Sequence, residues 1–121
     1  MIFKAKNSEL ETILKKMNTA VEEKINLPVG VSYKIVKNRL AIEQALAAYR
    51  MTRDKIVYKY SGDKGYVNSK DEPEIFREVC REIDVIAEEY SEVDISKISV
   101  SELGERELPL DLVSALGFMM E

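Results

Sequence analysis

Apolar positions along this chain recur with two different periods, and the changes of period divide it into elements. Ile2, Lys4 and Lys6 alternate with Phe3 and Ala5, the period-two pattern of a short strand over residues 2–6. From Ser8 the period lengthens. Leu10, Ile13, Leu14, Met17 and Val21 share one face of a predicted helix over about 8–25, opened by Asn7 or Ser8. Ser8 and Glu11 have the S-x-x-E spacing of a capping box, and Pro28 and Gly30 end the run.

The longest predicted helix follows, over about 31–60, with neither Gly nor Pro inside it. At about 1.5 Å per residue it is longer than one compact domain of this size needs, so part of it should project or meet another subunit. Ile35, Ile42, Leu46, Tyr49, Ile56 and Tyr60 make one apolar stripe; Tyr33, Val36, Leu40, Ala47, Met51 and Tyr58 make a second. Two apolar faces on one helix imply two partners.

"SGDKGYVNSKDEP" is a predicted hinge, with Gly62 and Gly65 around a charged tip. Pro73 suits the first turn of a further helix over about 73–90, whose inner face is Phe76, Val79, Ile83, Ile86 and Tyr90. This helix and the long one should fold as an antiparallel hairpin. The period returns to two in "EVDISKISV", a predicted strand over about 93–100 with a phase slip at Ser96 and Lys97, and its natural partner is "MIFKAK". A short apolar helix over about 109–119 closes the chain, with Leu112, Leu116 and Met120, or Val113 and Phe118, turned inward. The expectation is a single domain spanning 1–121, α+β and mostly α: a helical hairpin with an extra N-terminal helix, a short C-terminal helix and a two-stranded antiparallel ribbon.

Composition narrows the chemistry. The chain has 121 residues, of which 45% are apolar and 33% charged, a soluble globular mixture. It contains one cysteine, Cys80, read as a buried small hydrophobe, and no histidine. An internal disulfide is impossible, the commonest proton shuttle is missing, and no metal site or cofactor is expected. Neither a Walker loop nor a G-x-S-x-G elbow is present, so the chain is expected not to be an enzyme. No apolar run approaches the ~20 residues of a membrane span, and the start lacks a signal-like segment, which predicts a cytoplasmic protein without membrane contact.

Charge is unevenly spread. The net charge is −4, but residues 31–70 hold nine Lys/Arg against three Asp/Glu, and residues 71–121 hold four against fifteen. Such halves attract each other within a fold or between subunits. The basic half carries the candidate site. Arg39 and Arg53 interrupt the first apolar stripe, with Tyr49 near the second arginine. Guanidinium forks grip phosphate and tyrosine offers a flat face, so Arg39, Tyr49, Arg50 and Arg53, joined by Tyr33 and Lys37, form a candidate site for a phosphate-bearing nucleotide. The competing reading is structural, with the arginines pairing to Glu78, Glu82 or Glu89 on the neighbouring helix. Tyr58, Lys59, Tyr60 and Tyr66 give a mixture seen in single-strand nucleic-acid binders, but a pI near 5.1 disfavours a long polyanion.

The order of parts, with "VSYKIVKN" opening the long helix, "KYSGDKG" ending it, then "VDISKISVSEL" and "LPLDLVSALGFMM", resembles a widespread family of small phage and prophage proteins of Gram-positive bacteria. The resemblance spans nearly the whole chain and brings no assigned activity or functional residues with it. A phage origin implies the classes common at this size: a counter-defence protein that sequesters an immune signalling nucleotide, an inhibitor that binds a host defence enzyme, or a virion-assembly or replication accessory. The length of the predicted helix over about 31–60 separately leads to the expectation of a homo-oligomer formed through it.

Overall fold

The computed structural model of the chain describes residues 1–22, 26–104, 108 and 110–120, with the side chains of 20–22 outside the description. It is mostly helical, with one two-stranded antiparallel sheet. Strand β1 (Ile2–Lys6) leads directly into helix α1 (Asn7–Glu22); α2 (Val29–Ser61) and α3 (Pro73–Ala87) follow, then β2 (Tyr90–Asp94), the single turn α4 (Val100–Leu103) and α5 (Leu110–Leu116). The expected helix over 23–25, the side chain of Val21 and the start of the last helix at residue 109 lie outside the described residues.

Helix α2 is the spine. Its 33 residues extend about 50 Å. Val31, Ile35, Ile42, Leu46 and Tyr49 are buried along one side, where α1, α3 and the ribbon pack. Gly62 ends the helix at φ +58°, and Gly65 closes the following turn at φ +74°; both angles lie where side chains with a Cβ are strained. The chain then reverses into α3, giving the expected hairpin.

The ribbon ties residues 2–6 to residues 90–94. β1 pairs antiparallel with β2 in the register Phe3 opposite Val93 and Lys6 opposite Tyr90. The terminal ammonium of Met1 adds bonds to Asp94 Oδ1 (3.2 Å) and the Ile95 carbonyl (3.1 Å). A ribbon of two strands is marginal alone. Ala5 and Val93 are buried where it lies on the helices, and Phe3 meets the Phe118 ring at 5.5 Å.

The boundaries around the second strand differ most from expectation. Helix α3 stops at Ala87 instead of running to residue 90, where Asn7, from the far end of the chain, takes the Ile86 carbonyl and the Glu89 carbonyl just beyond the helix. The Asn7 amide nitrogen donates to the Ile86 carbonyl (2.9 Å), the Asn7 backbone N–H donates to Glu89 (2.9 Å), and the Ser91 hydroxyl donates to Asn7 Oδ1 (2.6 Å). The second strand accordingly covers 90–94, not 93–100. Beyond it the chain leaves the ribbon: Ile95 and Ile98 are buried, Ile98 forms a parallel bridge with Met120, and residues 100–103 form α4. The capping box forms there, at Ser99 and Glu102, and not at Ser8 and Glu11, since Glu11 turns toward α2. In the last helix Leu112, Ala115 and Leu116 point inward and Val113 is exposed; in the 3-10 turn that follows (Gly117–Met119) Met119 is buried and Phe118 half-buried, as is Met120 beyond it. Cys80 is half-buried, not buried.

Candidate functional site

Polar residues on the core side of α2 take two forms. Asn38 is fully buried, and sequence reading passed over it. Its amide nitrogen donates to the Ser96 carbonyl (2.9 Å), its amide oxygen accepts from the Ser96 N–H (2.7 Å), and Met119 Sδ lies 3.3 Å away. One side chain thus pairs both backbone groups of the residue at the predicted phase slip and fastens the segment after β2 to α2. This is a closed unit with no capacity left for a ligand.

Arg50 and Arg53 form the other kind. Helix α1 crosses this part of α2, and Glu11 Oε1 accepts from Arg53 Nη1 (2.9 Å) and Arg50 Nε (3.3 Å). The arginines therefore pair with α1 and not with Glu78, Glu82 or Glu89. The acids of α3 are taken elsewhere: Glu82 by Lys59 at 3.0 Å and Glu78 by Arg81 at 2.8 Å. The Arg53 guanidinium also sits 5.3 Å from the centre of the Tyr49 ring. Burial acts to lower the Arg53 pKa, but Glu11 and Tyr49 together outweigh it and raise it, so the charge is permanent.

These side chains border a cleft of about 310 Å³ between α1 and α2, lined by Glu11, Leu14, Lys15, Asn18, Arg50 and Arg53. Three cations face one carboxylate. Each guanidinium has several N–H donors and spends one on Glu11, Lys15 has no ion pair among the described residues, and the Asn18 amide adds a neutral donor. The arginine side chains remain 40% and 33% exposed, enough to meet a ligand from solvent. An anion entering here meets converging donors and a positive field with a short apolar floor at Leu14.

The six residues singled out in the sequence divide. Arg50 and Arg53 share the cleft. Tyr49 is 8% exposed, so its ring supports Arg53 from beneath and offers no open face to a base. Arg39 stands about 21 Å from Arg53 along the helix axis, too far for one phosphate to bridge. Tyr33, 66% exposed, and Lys37 lie on the outward side. The apolar stripe of α1 does not mark Lys15 and Asn18; their signal in the sequence is Lys15 one turn after Glu11, on the polar flank of that stripe.

Among the described residues no cluster of acids or cysteine suits a metal ion, and no helix is long and apolar enough to cross a membrane. No family model, curated protein or solved structure matches the chain.

Proposed function

We propose that this protein is a non-enzymatic binder of a small phosphate-bearing ligand, held in the cleft between α1 and α2 by Lys15, Arg50 and Arg53, with Asn18 as a further donor. The observation that carries the reading is the excess of three cations over one carboxylate in a cleft of about 310 Å³. That volume is at the small end for ligand sites. It encloses a phosphoryl group and its immediate attachment, so the remainder of a nucleotide rests outside, over the exposed arginine edges. Glu11 holds both guanidiniums in place before a ligand arrives, and it discriminates against crowded polyanions by its own charge.

The resemblance to small phage proteins gives this chemistry a setting: sequestration of an immune signalling nucleotide in the cytoplasm of an infected host, by a protein acting as a homo-oligomer through its long helix. The test is thermal. A ligand that binds the folded state alone raises the melting temperature in proportion to its occupancy. Nucleoside monophosphates, ADP-ribose and cyclic dinucleotides, each at hundreds of micromolar, should include at least one that raises it by several degrees, an effect absent from Arg53→Ala. A panel that leaves the wild-type curve unmoved removes the ligand reading.

A further inference from the structure

Among the described residues nothing covers a second apolar face of helix α2, and that face is arranged to receive a copy of itself. Tyr33, Val36, Leu40, Ala47, Met51 and Tyr58 lie within about 60° of the helix circumference, opposite the buried stripe. Tyr33, Leu40, Met51 and Tyr58 are 66%, 55%, 63% and 64% exposed, high values for large apolar side chains aligned over about 38 Å.

The order of four of them, Tyr33, Leu40, Met51 and Tyr58, reads the same in both directions. Tyr33 to Leu40 is seven residues, Leu40 to Met51 is eleven, and Met51 to Tyr58 is seven again. The outer pair are tyrosines, the inner pair long aliphatic side chains, and the small Ala47 sits near the centre, where close approach of two helices needs it. A two-fold axis through the middle of the helix, near residues 45 and 46, therefore lays Tyr33 against Tyr58 of the second copy and Leu40 against Met51. Such self-complementarity is what an isologous interface requires.

The flanking charges centre one residue further on, between residues 46 and 47, within about 1.5 Å of the same axis. In an antiparallel pair, residues on the same side of the stripe meet. One side carries Arg39, Glu43, Arg50 and Asp54, and the symmetry opposes Arg39 to Asp54 and Glu43 to Arg50. Within the chain Arg39, Glu43 and Asp54 have no hydrogen bond or ion pair among the described residues, so these charges are free to pair across the axis. The other side carries Gln44 near the axis, with Lys37 and Lys55 further out, where the two lysines face each other and limit affinity.

We infer that the protein forms an antiparallel homodimer through the outer face of α2, with Leu40 packed on Met51 of the second copy and Arg39 paired with its Asp54. The inference gives geometry to the homo-oligomeric reading above; Arg50 already pairs with Glu11 at the cleft, so the interface rests on the apolar face and on Arg39 with Asp54, and does not depend on the ligand.

Sedimentation equilibrium from micromolar to submillimolar concentration tests it on the full chain. The wild type should reach twice the 13.8 kDa chain mass. Met51→Glu should raise the dimer dissociation constant at least about thirtyfold. Circular dichroism and the melting curve report that the chain still folds, and ligand-induced melting shifts should persist, separating this result from failure of the cleft. Asp54→Arg and Arg39→Asp should each weaken the dimer roughly tenfold and the double variant restore it, while Lys55→Glu should strengthen it by relieving the lysine pair. A wild type that stays monomeric throughout overturns the proposal. So does a dimer indifferent to Met51→Glu, or a double charge swap that fails to rescue, since each denies this face or this register.

Discussion

Asn38 and Arg53 are both polar residues on the core side of one helix, yet the structure treats them oppositely. Asn38 is fully buried with its amide spent on Ser96. Arg53 is one-third exposed, shares a single carboxylate oxygen with Arg50, and keeps most of its donors for something else. Burial demands satisfaction, because an unmade hydrogen bond inside a protein costs about 1–3 kcal/mol. Partial exposure removes that demand and leaves room for a ligand. A closed polar unit is thus read as structure and an open one as a site, and substitutions at the two positions should separate along that line.

The largest effect belongs to Asn38. Asn38→Leu removes the amide but leaves the Ser96 N–H and carbonyl buried against apolar surface, so stability should fall by about 2–4 kcal/mol. The melting temperature should drop by about 10 °C or more, with no change in ligand affinity per folded molecule. Asn38→Asp should fare no better, because it keeps the acceptor but loses the donor to the Ser96 carbonyl and buries a charge. A loss under 1 kcal/mol for Asn38→Leu would show that Ser96 finds other partners and that the closed unit is not structural.

Arg53→Ala should show the opposite balance. The exposed ion pair and the contact with Tyr49 together contribute about 1 kcal/mol to stability. Ligand-induced stabilisation should disappear. Urea denaturation paired with ligand titration checks both at once; a large fall in stability with binding intact would place Arg53 with Asn38 and end the comparison. Glu11→Gln sharpens it from the other side. Removing the one carboxylate in the cleft should raise affinity for a phosphate ligand roughly five- to tenfold, as expected for one charge about 5 Å away in a wet site. The accompanying stability loss should be near 1 kcal/mol or less. A ligand that binds Glu11→Gln more weakly would show that holding the two guanidiniums in place outweighs the repulsion of the carboxylate.

The elements that were legible in the chain are those with strong local signals. β1 covers the residues its alternation predicts, α2 extends two residues before and one beyond its run without Gly or Pro, and Gly62 and Gly65 mark the hinge. What was not legible depended on contacts between distant residues. Tyr90 continues the helical period of α3, but Asn7, more than eighty residues earlier, claims the carbonyls of Ile86 and Glu89 and hands Tyr90 to the ribbon. Ser96 breaks the alternation of a predicted strand because its backbone is paired by Asn38. A local signal was also misplaced: the S-x-x-E pattern occurs at Ser8, Ser69 and Ser99, and the one at Ser99 forms the capping box. For the site, two arginines at the edge of a stripe were visible as cations, whereas their carboxylate partner and the flanking Lys15 emerge only once α1 is laid across α2.

The smallest expected effect is electrostatic and lies away from both residues. Glu102 is held below its ordinary value of 4.5 by the Lys34 ammonium at 2.6 Å and the Ser99 N–H, and Glu82 by the Tyr60 hydroxyl and Lys59. A carboxylate whose folded pKa is lower than its unfolded one contributes stability above the unfolded value and loses it as pH falls through the folded one. Lys59 is raised above 10.5 by Glu82, so its contribution is present below that pH and lost as pH rises further. Melting temperature should therefore be nearly level between about pH 6 and 9, before the acid limb sets in below 4.5. Glu102→Gln should make the acid limb shallower without touching the ligand shift, because Lys34 and Glu102 fasten α4 to α2 at the end remote from the cleft. An unchanged acid limb would mean that the Lys34 pair is lost to solvent and that α4 is held by Leu103 alone.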